Sequence, residues 1–243
     1  MLTTDVPTPR RALAIGAHPD DVEFGCGATL AKWAGKGCEV HHLICTDGSK
    51  GSWDPSQDTA ELVALRRREQ RAAAAALGAT GQCVFLPGID GELESDLRRR
   101  WEVAYWIRRL RPDVVLGHDP WKRWRLHPDH RHAGMLAVDG IVAARDPHFF
   151  PEQELPPHRP TTLLLWEADE VDHVEVVGED AIRLKVAALL EHRSQYRSTH
   201  DIHDPSDPLQ IERFASWVAH HQHLEGEIVG VPAGEAFKRI DRL

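Results

Sequence analysis

Short apolar runs alternate along the chain with longer stretches whose apolar residues recur at the spacing of one helix face. The first run, Arg11–Ala17 (RALAIGA), has strand length and is apolar after Arg11, as a strand buried on both faces requires. Glu39–Thr46 (EVHHLICT), Cys83–Leu86, Pro112–His118 (PDVVLGH), Thr161–Trp166 and Val174–Val177 predict further strands. Between them, Gly25–Gly37, Thr59–Leu77, Glu94–Leu110, Pro128–Ala144 and Ala181–His192 predict helices. Leu30, Trp33 and Ala34 share a face of the first, Gly78 closes the second, and Pro128 opens the fourth. Leu209–Leu224 and Glu235–Ile240 are also predicted helical.

Strands alternating with amphipathic helices, without a repeat or a linker, predict an α/β fold. It is expected to be Rossmann-like, a mostly parallel sheet with helices on both faces, formed as one domain by residues 11–243. Residues 1–10, proline-bearing and without periodicity, are expected to form a flexible N-terminal arm. Ligands of such sheets bind beyond the carboxyl ends of the strands, so the loops that follow strands should carry the chemistry.

Composition narrows the classes. The 243 residues are 42% hydrophobic and 28% charged, which excludes wholesale disorder. No apolar run approaches the ~18–20 residues of a membrane span, and Met1–Arg11 lacks the apolar core of a secretory signal. A net charge of −9 with no basic tract argues against nucleic acid or an anionic membrane as partner. Cys26, Cys38, Cys45 and Cys83 form no CxxC pair and read as reduced packing residues of a cytoplasmic protein. The 16 histidines raise the expectation of metal binding or proton transfer.

Two segments concentrate that chemistry. Ala17-His18-Pro19-Asp20-Asp21 follows the first strand, and a turn there can aim His18 and Asp21 at one point. Imidazole nitrogen and carboxylate oxygen are ordinary zinc ligands, and Asp20 would be left free to act on a water; a helix N-terminus capped by aspartate is the plainer reading. His127-Pro128-Asp129-His130 follows the strand that ends near His118. Together the segments supply His18, Asp21 and His130, three ligands with a fourth position open, which is the catalytic rather than the structural zinc pattern.

AHPDD after the first strand, with HPDH about a hundred residues later, resembles the LmbE/PIG-L family of zinc-dependent N-deacetylases. Thr46-Asp47-Gly48-Ser49, Arg66-x-x-Glu69, Lys185-x-x-Ala188-Leu189 with His192-x-Ser194-Gln195, and Gly230-Val231 to Phe237 extend the likeness over nearly the whole chain. The resemblance implies one Zn²⁺ held by His18, Asp21 and His130, with Asp20 as general base. It implies His127 as a protonated imidazole steadying the oxyanion, Asp129 as the partner of His127, and Arg66 as a substrate-binding residue. It further implies removal of an N-acetyl group from an N-acetylglucosamine-containing small molecule, by a chain that can form a homo-oligomer. The alternatives are an amidase acting on another acyl or sugar-conjugate amide, and a metal- or nucleotide-binding module without catalysis.

Other features have plainer readings. Gly25-Cys26-Gly27 mimics a dinucleotide fingerprint, but Leu30 occupies the third glycine position, and close helix–sheet packing explains the glycines. Glu23 is expected behind the metal, with a first-turn carboxylate favoured by the helix dipole as the alternative. His41 and His42 should face opposite sides of a strand, and His220, His221 and His223 a solvated helix face. Trp53, Trp121 and Trp124 are candidates for stacking on a sugar ring, with core packing the equal alternative for Trp121 and Trp124.

Overall fold

The computed structural model describes residues 2–243. Its strands are β1 (Thr3–Thr4), β2 (Arg11–Gly16), β3 (Glu39–Thr46), β4 (Cys83–Gly88), β5 (Val114–His118), β6 (Thr162–Trp166), β7 (His173–Val176) and β8 (Gly234–Asp241). Its helices are α1 (Asp21–Ala34), α2 (Thr59–Ala76), α3 (Leu97–Leu110), α4 (Pro128–Arg145), α5 (Glu179–Leu190) and α6 (Pro208–Glu227). All eight strands form one sheet in the order β1-β7-β8-β6-β5-β2-β3-β4.

The strand pattern explains the layers. Side chains alternate across a strand, so successive apolar residues of one run serve two cores. Ala12 and Ala14 of β2 face the core made with α1, α2 and α5, whereas Leu13 and Ile15 face the core made with α3 and α4. Val114 and Leu116 of β5 join the first core and Val115 the second. The expected α/β sheet covered on both faces is therefore present. Its central strands are parallel, as the continuous apolar runs require.

Two expectations fail, both in the β1-β7-β8 end of the sheet. Glu235–Ile240, predicted helical, lies within strand β8, antiparallel to both β6 and β7. Glu, Ala, Lys and Arg favour helix locally, but pairing on both sides overrides that preference. The N-terminal segment is not a loose arm: Thr3 and Thr4 pair with His173 and Val174, and Val6 is buried. No helix among the described residues is long and apolar enough to cross a membrane.

Candidate active site

From β2 the chain crosses to β3 and β4 on one side, and then returns to β5 and β6 on the other. The crevice between the ends of β2 and β5 is thus the switch point at which open α/β sheets bind ligands. Ala17–Asp21 leaves β2 there, and the loop after β5 leads to His127 at the start of α4. The topology brings both His-Pro-Asp segments to one place.

The helix predicted from Gly25 begins at Asp21 instead. Asp20 precedes it with φ 102°, a left-handed conformation that costs a non-glycine residue of order 1–3 kcal/mol. Its side chain makes no capping bond, so the plain N-cap reading does not hold. The Asp20 amide donates to Oε1 of Gln70 (2.9 Å), and Gln70 Nε2 donates to Glu23 (2.7 Å). Arg66, 3% exposed, donates to the carbonyls of Gly48 (2.9 Å) and Pro19 (2.7 Å) and reaches Asp20 Oδ2 at 3.3 Å. Burial pushes the Asp20 carboxyl up to about 6, with Arg66 pulling it down and Asp21 pushing it further up.

Nitrogen atoms of His18 and His130 and a carboxylate oxygen of Asp21 lie within 4.8 Å of one another. His18 Nδ1 is 3.4 Å from Asp21 Oδ2, and His130 Nε2 is 3.3 Å from Asp21 Oδ1. Ligand atoms around a tetrahedral zinc ion at about 2.1 Å stand about 3.4 Å apart; the His130–Oδ1 separation matches that value and the three donors gather within 4.8 Å, so the set suits such an ion in chemistry and approximate spacing. Behind His18, its Nε2 meets Asp129 Oδ2 (3.0 Å) and Asp90 Oδ1 (3.2 Å), as a carboxylate backs a metal-binding imidazole. Burial opposes a charge on His18, but Asp129, Asp21 and Asp90 outweigh it and raise its pKa well above the usual value. Asp21 raises His130 against burial in the same way, and His130 and His118 hold Asp21 well below the carboxylate range despite its burial.

Two other groups have metal-binding residue types, and both are otherwise engaged. In His118, His130 and Glu167, the Arg125 guanidinium bonds Glu167 and approaches both imidazole Nδ1 atoms at 3.4 Å, so a resident cation already serves the group. In His18, His127 and Asp129, the aspartate accepts from the amides of Gly91 (2.6 Å) and Leu93 (3.2 Å) besides His18.

These bonds correct the expected role of Asp129. Its carboxylate faces His18, and only its backbone amide meets His127, donating to Nδ1 at 3.3 Å. The reason is position: Asp129 lies in the first turn of α4, turned inward toward the loop after β4, whereas His127 precedes the helix and is exposed. The protonated imidazole expected at His127 also finds no support. Burial and the neighbouring His18 and His130 lower its pKa.

The remaining candidates separate clearly. Glu23 does not reach the ligand group; it sits one layer below, against His42, His192 and Gln70. A Cβ on Gly25 would lie 2.5 Å from the Trp166 indole and one on Gly27 3.1 Å from Lys185, so these glycines permit packing and cradle no phosphate. His41 accepts from the Gln82 amide and His42 contacts Gln70, on opposite faces of β3 as expected. Trp121 and Trp124 are exposed away from the cleft, and only Trp53 lines it. Sequence reasoning missed Asp90, His118 and Trp166. His118 and Trp166, each the last residue of a recognised strand, carried a positional signal, and Asp90 carried none.

The cleft over the cluster has a volume of about 590 Å³ and is lined by His18, Asp20, Arg66, His127, His130 and Trp53. A larger cavity of about 820 Å³ adjoins it, sharing Gly51 and Trp53 and continuing past Arg193 and Tyr196.

Comparison with known proteins agrees with this geometry. A family model described as "PIG-L: GlcNAc-PI de-N-acetylase" matches residues 13–141, which include both His-Pro-Asp segments. The chain is 31% identical over 222 residues to diacetylchitobiose deacetylase of Thermococcus kodakarensis, covering 89% of this chain and 82% of that one. It is 33% identical over 178 residues to the 1D-myo-inositol 2-acetamido-2-deoxy-alpha-D-glucopyranoside deacetylase of Streptomyces avermitilis, covering 63% and 59% respectively. The solved structure of N,N'-diacetylchitobiose deacetylase from Pyrococcus horikoshii superposes with a TM-score of 0.85 at 30% identity, over 96% of this chain and 84% of that chain. With the family model spanning more than half of its 243 residues, this chain belongs to the PIG-L family.

Proposed function

We propose that this protein is a zinc-dependent N-deacetylase that hydrolyses the acetamide of an N-acetylglucosamine-containing small molecule or glycoconjugate. The observation that carries this reading is the His18–Asp21–His130 group with the Asp20 carboxylate beside it, in a cleft at the switch point of the sheet. His18, Asp21 and His130 would hold the ion, and the protons that Asp21 and its neighbours favour on the two imidazoles would leave as it binds. A bound zinc ion supplies a polarised carbonyl and a more acidic water.

The rest of the chemistry falls to the chain. Asp20 takes a proton from the attacking water and passes it to the departing amine, so that acetate and the free amino sugar are the products. Its elevated pKa suits that shuttle better than an ordinary carboxylate would. His127 Nδ1 accepts from the Asp129 amide, so the ring proton sits on Nε2. A neutral His127 can then donate to the carbonyl oxygen as negative charge develops there. Asp129 and Asp90 hold His18, and Arg66 joins the Pro19 carbonyl and Asp20 to the loop after β3. The second cavity past Trp53 supports a substrate extending beyond one sugar ring. The four free, largely buried thiols, whose pKa values burial raises, support a reducing and hence cytoplasmic setting.

The test is acetate release from N-acetylglucosamine, from its β-linked disaccharide and from an inositol-linked N-acetylglucosamine, before and after chelation and with zinc restored. Zinc-dependent release from any of them supports the reading. Stoichiometric zinc with no acetate from all three overturns it.

A further inference from the structure

Asp21 is gripped from behind. Its Oδ2 accepts from the His18 amide (2.7 Å) and lies 3.2 Å from Nε2 of His118. His118 is the last residue of β5, 1% exposed, and its Nδ1 accepts from the indole Nε1–H of Trp166 at 3.0 Å. An indole nitrogen only donates, so Nδ1 of a neutral His118 must carry the lone pair and Nε2 the proton. Arg125, 3.4 Å from Nδ1, is also only a donor and favours the same tautomer, whereas the Glu167 carboxylate stands 3.8 Å from Nδ1, beyond hydrogen-bond distance, and is taken by Arg125. The His118 ring also stacks on His130, with centroids 4.3 Å apart and planes 18° apart. Trp166 is fully buried against α1, an approach that only a glycine at position 25 admits.

We propose that His118 is a positioning residue for the metal-binding group. Its tautomer is set by Trp166, it occupies Asp21 Oδ2 as a donor, and it leaves Oδ1 as the oxygen offered to the ion. With two donors on Oδ2, Asp21 is presented through one oxygen, the one facing His130. Were the ring proton on Nδ1 instead, an imidazole lone pair would face a carboxylate and push it away. Gly25, Trp166 and His118 thereby form one device, which rests on the ligand assignment proposed above.

The first measurement needs no metal. Nitrogen-15 NMR of the imidazoles in chelator-treated protein should show His118 protonated at Nε2 and bare at Nδ1. The second is zinc affinity by chelator competition, with thermal unfolding as a check on the fold. His118→Leu should weaken zinc binding about 10- to 100-fold, as loss of a residue supporting a ligand does. His118→Gln, whose side-chain amide can donate to Oδ2 in any environment, should stay within about threefold of wild type. Trp166→Phe should weaken binding in the His118 protein and be nearly silent in the His118→Gln background, a coupling that packing alone does not produce. A proton on Nδ1, a Gln variant as weak as the Leu variant, or equal Trp166→Phe losses in both backgrounds each overturns the proposal, and the last two need only the variants that fold. Wild-type protein that takes up no zinc defeats the ligand assignment itself and the proposal with it, an outcome recognisable before any variant is made.

Discussion

Two buried charge clusters along α1 have opposite designs. At the back of α1, Lys185 donates to Glu235 (2.7 Å), to the Phe24 carbonyl (2.7 Å) and to Gln222 (3.4 Å). Glu235 also accepts from the amides of Ala28 (3.0 Å) and Thr29 (2.6 Å). These amides restart the helix after Cys26, whose φ of −152° breaks it, so Glu235 acts as a cap borrowed from β8. Lys185 and Glu235 pair directly, and the neighbouring carboxyl of Glu225, which accepts from the Ala236 amide, is pushed by burial up to about 7, so the pair needs no further cation. At the front of the same helix, Asp20, Asp21, Asp90 and Asp129 crowd around histidines, with Arg66 on Asp20 as the fixed cation. Buried carboxylates in such excess need protons or an added cation. A closed pair holds structure, whereas a cluster short of positive charge is built to take it up.

The sharpest way to break that contrast is at the front. Asp20→Asn keeps volume but cannot accept a proton, so kcat should fall about 10²- to 10⁴-fold while zinc stays bound. Asp21→Asn should lose zinc first and recover activity in part with excess metal. Metal content and turnover of both variants, read together, decide the roles, and the reverse pattern exchanges them. In active protein kcat/KM should decline as pH falls and Asp20 is protonated. The free carboxyl at about 6 marks the upper bound of that limb, because a bound cation pulls it lower.

The matching break at the back is Lys185→Met. It strands the Glu235 charge in the interior and should cost about 3–5 kcal/mol of stability in denaturant titrations. Activity per folded molecule should persist. Loss of activity without loss of stability would place Lys185 in the chemistry instead. Arg66 stands between the two cases, a buried cation serving the front cluster. Arg66→Ala should lower kcat/KM about 10- to 100-fold, the worth of charge-assisted bonds, while exposed Arg68→Ala changes little.

How much of this was legible beforehand follows the same division. The parallel strands β2, β3, β5 and β6 announce themselves as apolar runs because both faces are buried. The antiparallel end of the sheet does not: β8 is written in helix-favouring residues, and the edge strand β1 is two threonines held by β7. In the site, His18, Asp21 and His130 are legible because each HPD motif packs several ligand types into one turn. Asp90 and His118 are single residues that only the sheet order brings to the cluster. Sequence proximity pairs the Asp129 carboxylate with His127, whereas the direction of the first turn of α4 turns it to His18.

A smaller effect tests a histidine that belongs to neither cluster. His200 is 3% exposed, stacked on Phe214 at 4.4 Å, with both ring nitrogens unpartnered among the described residues. Burial, aided by His192, drives its pKa down to about 3. The folded protein therefore keeps it neutral, while the unfolded chain protonates it below about 6.5. Unfolding takes up a proton in that window, so stability is present above it and drains away as pH falls from 6.5 toward 3. His200→Phe should reduce the stability lost between pH 7 and pH 5 by about 2 kcal/mol. An unchanged acid slope would show that His200 is protonated in the fold.

The smallest effect concerns where the front cluster ends. Trp53 is 86% exposed and lines both the cleft over His18 and the larger cavity beside it. An aromatic ring left in solvent between two cavities is suited to the apolar face of a sugar one residue away from the reacting acetamide. Trp53→Ala removes that platform and touches none of the groups around His18. For a β-linked disaccharide, KM should rise several-fold, the equivalent of about 0.5–1.5 kcal/mol, with kcat unchanged, because stacking is equal in ground and transition states. For the monosaccharide, which does not reach the second cavity, neither constant should move. An equal loss on both substrates would put Trp53 over the reacting ring itself, and a fall in kcat would mean that the loop after β3 closes on the substrate before water attacks.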